Sequence, residues 1–247
     1  MNQTAHPNMA EMPSGFEEKL AATKATLSRV AADFAPAVFA SSLAAEDMVL
    51  TDLILGAALP IAIFSLETGR LPPETLAMLN KVKQHYGYQI QLYYPNPDAV
   101  AAYVTNHGLN AFYESVDLRK SCCQIRKVEP LGRALAGQKA WITGQRRSQS
   151  STRNELAVQE HDAAHELTKF NPIADWSEQD VWYYLQLHKV PYNALHDAGY
   201  PSIGCAPCTR AIQPGEDVRA GRWWWETPEN KECGLHVVDG KLVRIKT

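Results

Sequence analysis

Five cysteines in this 247-residue chain fall into a Cys122-Cys123 doublet, a Cys205-Ala206-Pro207-Cys208 pair and a lone Cys233. Four thiols in two close pairs are the usual ligand number for a tetrahedral metal or an iron–sulfur site. Structural zinc favours spaced pairs, and a directly adjacent doublet is awkward for one tetrahedral ion, whereas a cubane offers separate irons; the spacing leaves both groups open. Two plainer readings stand beside these. Cys205-Ala206-Pro207-Cys208 has the form of a thioredoxin-type dithiol, yet it follows the loop Tyr200-Pro201-Ser202-Ile203-Gly204 where that motif follows a strand. Buried core cysteines are common, but Arg119, Lys120, Arg126 and Lys127 around the doublet argue against apolar burial. The fifth thiol lies in Lys231-Glu232-Cys233-Gly234-Leu235-His236, a polar stretch that would leave it exposed, with Lys231 and His236 able to favour its thiolate. Four ligands and one nucleophile point to a redox enzyme whose covalent chemistry runs through Cys233.

The elements that must position these groups follow from hydrophobic period. Helical spacing is expected over 16–33, 48–58, 73–85, 98–106 and 125–136, and short apolar strands over 37–41, 61–65, 89–93 and 140–143. Strands alternating with helices predict an α/β single domain: a mostly parallel sheet with helices on both faces. After Gly144 the sequence reads as an Arg-rich loop, 145–153, then a helix capped by Ser177 with Asp180 three residues on, then irregular chain from Tyr192. Residues 1–14 read as a disordered N-terminus, 15–222 as the α/β domain and 223–247 as a mobile C-terminal tail carrying Cys233. Trp223-Trp224-Trp225 is expected to pack that tail down, and His161 and His165, which lack the Glu of a metalloprotease helix, are read as structural.

In an open parallel sheet, ligands bind beyond the carboxyl ends of the strands. Three segments fall there: Ser41-Ser42-Leu43-Ala44-Ala45-Glu46-Asp47, Leu66-Glu67-Thr68-Gly69-Arg70 and Gly144-Gln145-Arg146-Arg147-Ser148. Small and hydroxylated residues at a helix start, with nearby guanidiniums, suit phosphate or sulfate. Net charge is −3, so bulk attraction to nucleic acid is excluded and an anion must be met by local basic groups. The first ten residues lack the basic start and apolar run of a secretory signal, and no membrane span is read. An odd cysteine number does not fit a disulfide framework, so the expected setting is cytoplasmic, with reduced thiols.

The phosphate loop ending Glu46-Asp47, Thr68-Gly69-Arg70, Cys122-Cys123-Gln124-Ile125-Arg126-Lys127, Gly144-Gln145-Arg146, Cys205-Ala206-Pro207-Cys208, Arg219-Ala220-Gly221-Arg222 and the tail 231–236 occur together in this order. In this the chain resembles the assimilatory adenylyl-sulfate (APS) reductases, the iron–sulfur branch of the phosphoadenylyl-sulfate reductase family, with its adenine-nucleotide α-hydrolase-like fold. The resemblance implies a [4Fe–4S] cluster on Cys122, Cys123, Cys205 and Cys208, with Lys127 bridging cluster and substrate. It implies thioredoxin- or glutaredoxin-dependent reduction of adenosine 5′-phosphosulfate to sulfite and AMP through a Cys233 S-sulfocysteine, with His236 beside the nucleophile, in sulfate assimilation and cysteine biosynthesis. Substrate contacts are then expected from Ser41, Ser42, Leu43, Ala44, Glu46, Asp47, Leu66, Thr68, Gly69, Arg70, Gly144, Gln145, Arg146, Arg219 and Arg222. Leu43-Ala44 departs from the Ser-Gly that relatives often carry, which removes a hydroxyl and adds a Cβ where backbone approaches phosphate. A homodimer or homotetramer is suggested only by the family, and the absence of an appended redoxin domain implies a separate electron donor. The alternatives are reduction of the 3′-phosphorylated nucleotide, an iron–sulfur ATP pyrophosphatase that thiolates tRNA, and a zinc-stabilised binding module. Cluster-lacking relatives prefer the 3′-phosphorylated substrate, so the four extra cysteines favour APS. The tRNA enzyme would need an intact Ser-Gly-Gly-type loop and a basic RNA-binding surface, and neither is evident.

Overall fold

A computed structural model of the chain describes residues 11–149, 153 and 155–227. Cys233, His236, the expected tail mobility and the first ten residues of the expected disordered terminus lie outside the described residues.

Helix α1 (Phe16–Asp33) leads into strand β1 (Ala37–Ala40), then α2 (Ala45–Gly56), β2 (Ile61–Leu66), α3 (Pro73–Tyr86), β3 (Gln91–Tyr93) and α4 (Pro97–His107). After α5 (Val116–Cys123), a π-helical turn Gln124–Val128 and α6 (Glu129–Leu135) come β4 (Ala140–Ile142), β5 (Gln159–Asp162), β6 (Leu167–Phe170) and α7 (Glu178–Leu187). The six strands form one sheet in the order β3-β2-β1-β4-β6-β5, parallel except for the antiparallel β5–β6 pair. Both faces are covered, as the βαβ pattern requires. Phe39, Ile63, Ile142 and Phe170 face α1, α2 and α7, while Val38, Phe64, Trp141 and Leu167 turn to the other face, which Leu131, Ala134 and Leu135 of α6 cover. No helix among the described residues is long and apolar enough to cross a membrane.

The order of the strands fixes where a ligand fits. Connections leave β1 in one direction toward β2 and β3, and the sheet resumes on its other side at β4. The crevice between the β1 and β4 carboxyl ends is therefore the topological switch point at which open α/β sheets bind ligands.

Two departures from the sequence reading have physical causes. The β5–β6 hairpin falls in chain to which hydrophobic period assigns no element, because β5 is Gln-Glu-His-Asp, a charged edge strand without apolar alternation. The helix expected to start at Ile125 starts instead at Val116, capped by Ser115 Oγ accepting from Leu118 N–H at 3.1 Å. The cysteine doublet is thus inside a helix, followed at once by the π turn, in which Glu129 N–H reaches Gln124 O. Pro130 has no N–H to close an α-turn onto Arg126, which favours that wider turn.

Helix α7 is fastened to α1 by one carboxylate. Asp180 Oδ2 accepts from Ser177 N–H at 2.7 Å, Ser177 Oγ at 2.8 Å and Lys19 Nζ at 2.7 Å, and Asp180 is fully buried. Asp180→Ala should destabilise the protein by about 2–3 kcal/mol in urea unfolding, because three hydrogen bonds to a charged group are lost at once. Lys19→Met should cost less than about 1 kcal/mol, since its ammonium end is partly solvated.

Candidate active site

A cavity of about 610 Å³ opens at the switch point. Of the residues expected to meet substrate, Ser41, Ser42, Ala44, Glu46, Asp47, Leu66, Thr68, Gly144, Gln145, Arg146, Arg219 and Arg222 line it, together with Lys127; Leu43, Gly69 and Arg70 do not. Leu43 is fully buried behind the loop at φ 63°, a left-handed conformation that strains a branched side chain. Ala44, the residue before α2, offers no side-chain cap, so the helix start presents backbone N–H groups to the crevice, and that of Ala45 donates to His196 Nε2 at 3.1 Å.

Asp47 ties the two sides of the crevice together. Its Oδ2 accepts from Ser42 N–H at 2.6 Å and Ser42 Oγ at 2.5 Å, and the Gly144 N–H from the β4 side also donates to this carboxylate. A Cβ on Gly144 would lie 2.1 Å from Asp47 Oδ1, so the close approach of the two loops requires glycine there. Burial pushes the Asp47 carboxyl up to about 6 against the pull of these donors.

Beside it, Arg146 makes a buried pair with Glu46, Nη2 at 2.7 Å and Nε at 3.1 Å from Oε1, and donates to Ser148 Oγ at 2.7 Å. Burial raises the Glu46 carboxyl, but Arg146 and other contacts outweigh it and hold the group below its ordinary value. The Arg146 charge is thereby matched within the protein. Arg147 turns away to Leu156 O and Asp175 and lines neither cavity. Cationic groups not bound to Glu46 come from Lys127, Arg153, Arg219 and Arg222.

A second, small cavity of about 20 Å³ gathers Cys122, Cys123, Cys205 and Cys208 with Arg70, Arg119, Arg126 and Lys127, and no acidic side chain lines it. The doublet comes from the end of α5 and the pair from the short turn Ala206–Cys208. Thr68 Oγ1 lies 3.3 Å from Cys205 Sγ, Arg126 Nη1 donates to Thr68 O at 2.6 Å, and Ala206 N–H donates to Arg70 O at 2.8 Å. The Thr68–Arg70 segment therefore belongs as much to the thiols as to the crevice. Burial pushes the Cys208 thiol up to about 12 and Cys122 above its ordinary value, while Lys127 and Arg222 pull Cys208 down and Arg126 pulls Cys122 down.

Trp223 separates and joins the two cavities. It is buried, lines both, and lies between two guanidiniums, Arg119 Cζ 4.7 Å and Arg222 Cζ 4.6 Å from the ring. Arg119, fully buried, is matched by Glu226 through Nε–Oε1 at 2.9 Å and Nη2–Oε2 at 2.8 Å. Residues 223–226, read from sequence as the start of a tail, are thus anchored against α5; Trp223 packs as expected. His165 Nδ1 is 2.8 Å from Asp162 Oδ2 on the β5–β6 turn, in keeping with a structural role.

The four thiols fit a polynuclear group by their chemistry. Cys122, Cys123, Cys205 and Cys208 line one cavity, which is consistent with a cubane that takes one thiolate per iron. No acidic side chain lines this cavity, and thiolates around a cluster would place negative charge beside its cations. Trp223 Nε1 is buried with no acceptor among the described residues, an orphan donor on the same cavity wall.

Sequence reasoning missed Arg119 as a buried member of this cage, the Trp223 partition and His196 at the α2 start. Arg119 could be found only as a charge near the doublet, and His196, in an irregular loop, gives no signal.

Comparison with known proteins supplies the family. The phosphoadenosine phosphosulfate reductase domain matches residues 36–211. The chain is 62% identical over 210 residues to the adenosine 5′-phosphosulfate reductase of Allochromatium vinosum, covering 85% of this chain and 82% of that one. It is 54% identical over 224 residues to the corresponding Neisseria meningitidis serogroup A enzyme, covering 90% and 92%. Among solved structures, the phosphoadenylyl-sulfate reductase of Candida auris, in a phosphate complex, superposes with a TM-score of 0.66 at 26% identity over 77% of this chain and 90% of that one. Candida glabrata FMN adenylyltransferase, at 14% identity and TM-score 0.55, covering 94% of this chain and 83% of that one, shares the fold alone. The chain belongs to the phosphoadenosine phosphosulfate reductase family.

Proposed function

We propose that this chain reduces adenosine 5′-phosphosulfate to sulfite and AMP. The observation that carries the reading is the shared wall, in which Lys127 and Trp223 line both the nucleotide-sized crevice and the four-thiol cavity. Relatives named for this activity cover most of the chain. Cys122, Cys123, Cys205 and Cys208 would hold a [4Fe–4S] cluster, which brings a charge of roughly −2 close to an anionic substrate. Like charges in a desolvated site repel by several kcal/mol, so positive groups must stand between them. Lys127 is half-buried in that position. Arg219 and Arg222 would bring guanidiniums to the phosphosulfate oxygens, and the start of α2 would offer backbone N–H groups to the phosphate.

In the reaction, the Cys233 thiolate attacks the sulfonyl sulfur of the substrate. An S–S bond forms, the bond from sulfur to the phosphate oxygen breaks, and AMP leaves with that electron pair. A thiolate of thioredoxin or glutaredoxin then attacks Cys233 Sγ and sulfite leaves. The carrier's second thiol resolves the mixed disulfide, so the carrier dithiol supplies both electrons and Cys233 is restored. Lys231 and His236 favour the thiolate. The product feeds sulfide formation for cysteine biosynthesis.

Two measurements test this. Labelled substrate mixed with anaerobically purified protein, without reductant, should leave one labelled sulfonate on Cys233; no adduct, or one surviving Cys233→Ser, contradicts the reading. The same preparation should contain roughly four irons per chain. The second measurement is pH dependence. Because the folded Asp47 value is raised, the stability contributed by its protonated form is complete below about pH 4 and is lost as pH rises through about 6. The carboxylate that orders Ser42 and Gly144 exists above that value. AMP affinity should accordingly fall as pH drops through about 6, and Asp47→Asn should shrink that acid limb to the part set by the AMP phosphate, which also titrates at about pH 6.

A further inference from the structure

Lys169, on β6, is almost fully buried at 7% exposure and touches no part of the crevice directly. Its ammonium is held by three groups from the two flanking strands or their ends. Glu160 Oε1 on β5 lies 2.7 Å away, the Trp141 ring of β4 has its centroid 5.6 Å away, and Gln145 Oε1, just past β4, accepts at 3.1 Å. Glu160 and Trp141 are the register partners of Lys169 on the two flanking strands, so the sheet itself fixes this arrangement. Burial pulls the Lys169 ammonium down and the Glu160 carboxylate opposes it.

An ammonium has donors only. The amide of Gln145 must therefore meet Lys169 with its oxygen, which settles an orientation that an isolated amide leaves open. Gln145 is 7% exposed and lines the nucleotide cavity. Its Nε2 makes no hydrogen bond with the described residues, and it is not among their sealed, unsatisfied atoms. The remaining surface of the amino group is cavity surface.

We propose that Lys169 is a positioning residue that locks the Gln145 amide with its amino group facing the nucleotide cavity, where it donates to an acceptor oxygen or ring nitrogen of the bound adenine nucleotide. The inference rests on the nucleotide reading given above and adds a selective element to it: a fixed donor at this point of the wall, supported from the polar edge hairpin. Lys169 acts only through Gln145.

The test is calorimetric titration of AMP into the iron-loaded full chain and its variants. Gln145→Glu keeps an oxygen on Lys169 and replaces the donor by an acceptor, so it should weaken AMP by about tenfold or more with an unchanged melting temperature. Lys169→Met should weaken AMP several-fold in the native background and leave Gln145→Ala unaffected, the non-additivity expected of one chain of contacts. Lys169→Arg should recover most of the loss. Native affinity in Gln145→Glu, or an equal Lys169→Met loss with and without the Gln145 amide, overturns the proposal while leaving the nucleotide site standing. Failure of the native chain to bind AMP overturns both.

Discussion

Positive charge at the partition between two cavities is the constraint on which the rest of the site depends. One side gathers four thiols and, on the function proposed above, the other receives a phosphosulfate; a low-dielectric interior magnifies repulsion between such groups. The fold answers with cations drawn from separate parts of the chain: Arg126 and Lys127 from the π turn, Arg119 from α5, Arg70 from the segment after β2 and Arg222 from beyond the cysteine pair. Two guanidiniums of the site are fixed by carboxylates. Arg119 is held by Glu226, and Arg146 in the crevice by Glu46. Those two pairs hold elements in place, and on the proposed function Lys127 and Arg222 face the anionic cluster and substrate.

Helix geometry explains how the doublet and Lys127 share a wall. In continuous α-helix, residues four apart lie over one another. A π turn immediately after Cys123 widens the spiral where the chain passes the cavity, and Pro130 supplies a local reason for it. Trp223 completes the partition with an apolar ring approached by two guanidiniums, a surface that excludes water while tolerating charge beside it.

Much of this was legible in the sequence because it was written in short-range signals. Apolar runs such as Ala-Val-Phe-Ala and Ile-Ala-Ile-Phe announce buried parallel strands, and the parallel sheet then places Ser41–Asp47 and Gly144–Arg146 at one edge. The cysteine groups, distinctive in type and spacing, gave the second cavity. What the sequence hid was long-range pairing. Nothing local in Gln159–Asp162 signals a strand, since its stabilisation comes from pairing with Leu167–Phe170. Arg119 and Glu226 are 107 residues apart, and Lys169 meets Gln145 only once β4 and β6 are in register. The Arg146 guanidinium lines the crevice as its residue type suggests, but its buried pairing with Glu46, 100 residues away, has no local signal.

The most direct test of the charge partition is a comparison of two ligands on an iron-loaded Cys233→Ser chain, which cannot turn over. Affinities for adenosine 5′-phosphosulfate and for AMP should be measured with Lys127 intact and in Lys127→Met. The account predicts that losing Lys127 weakens the sulfonated nucleotide at least about tenfold more than AMP, because the missing charge faced the sulfonate across the wall. Equal losses for the two ligands, or none, would contradict it.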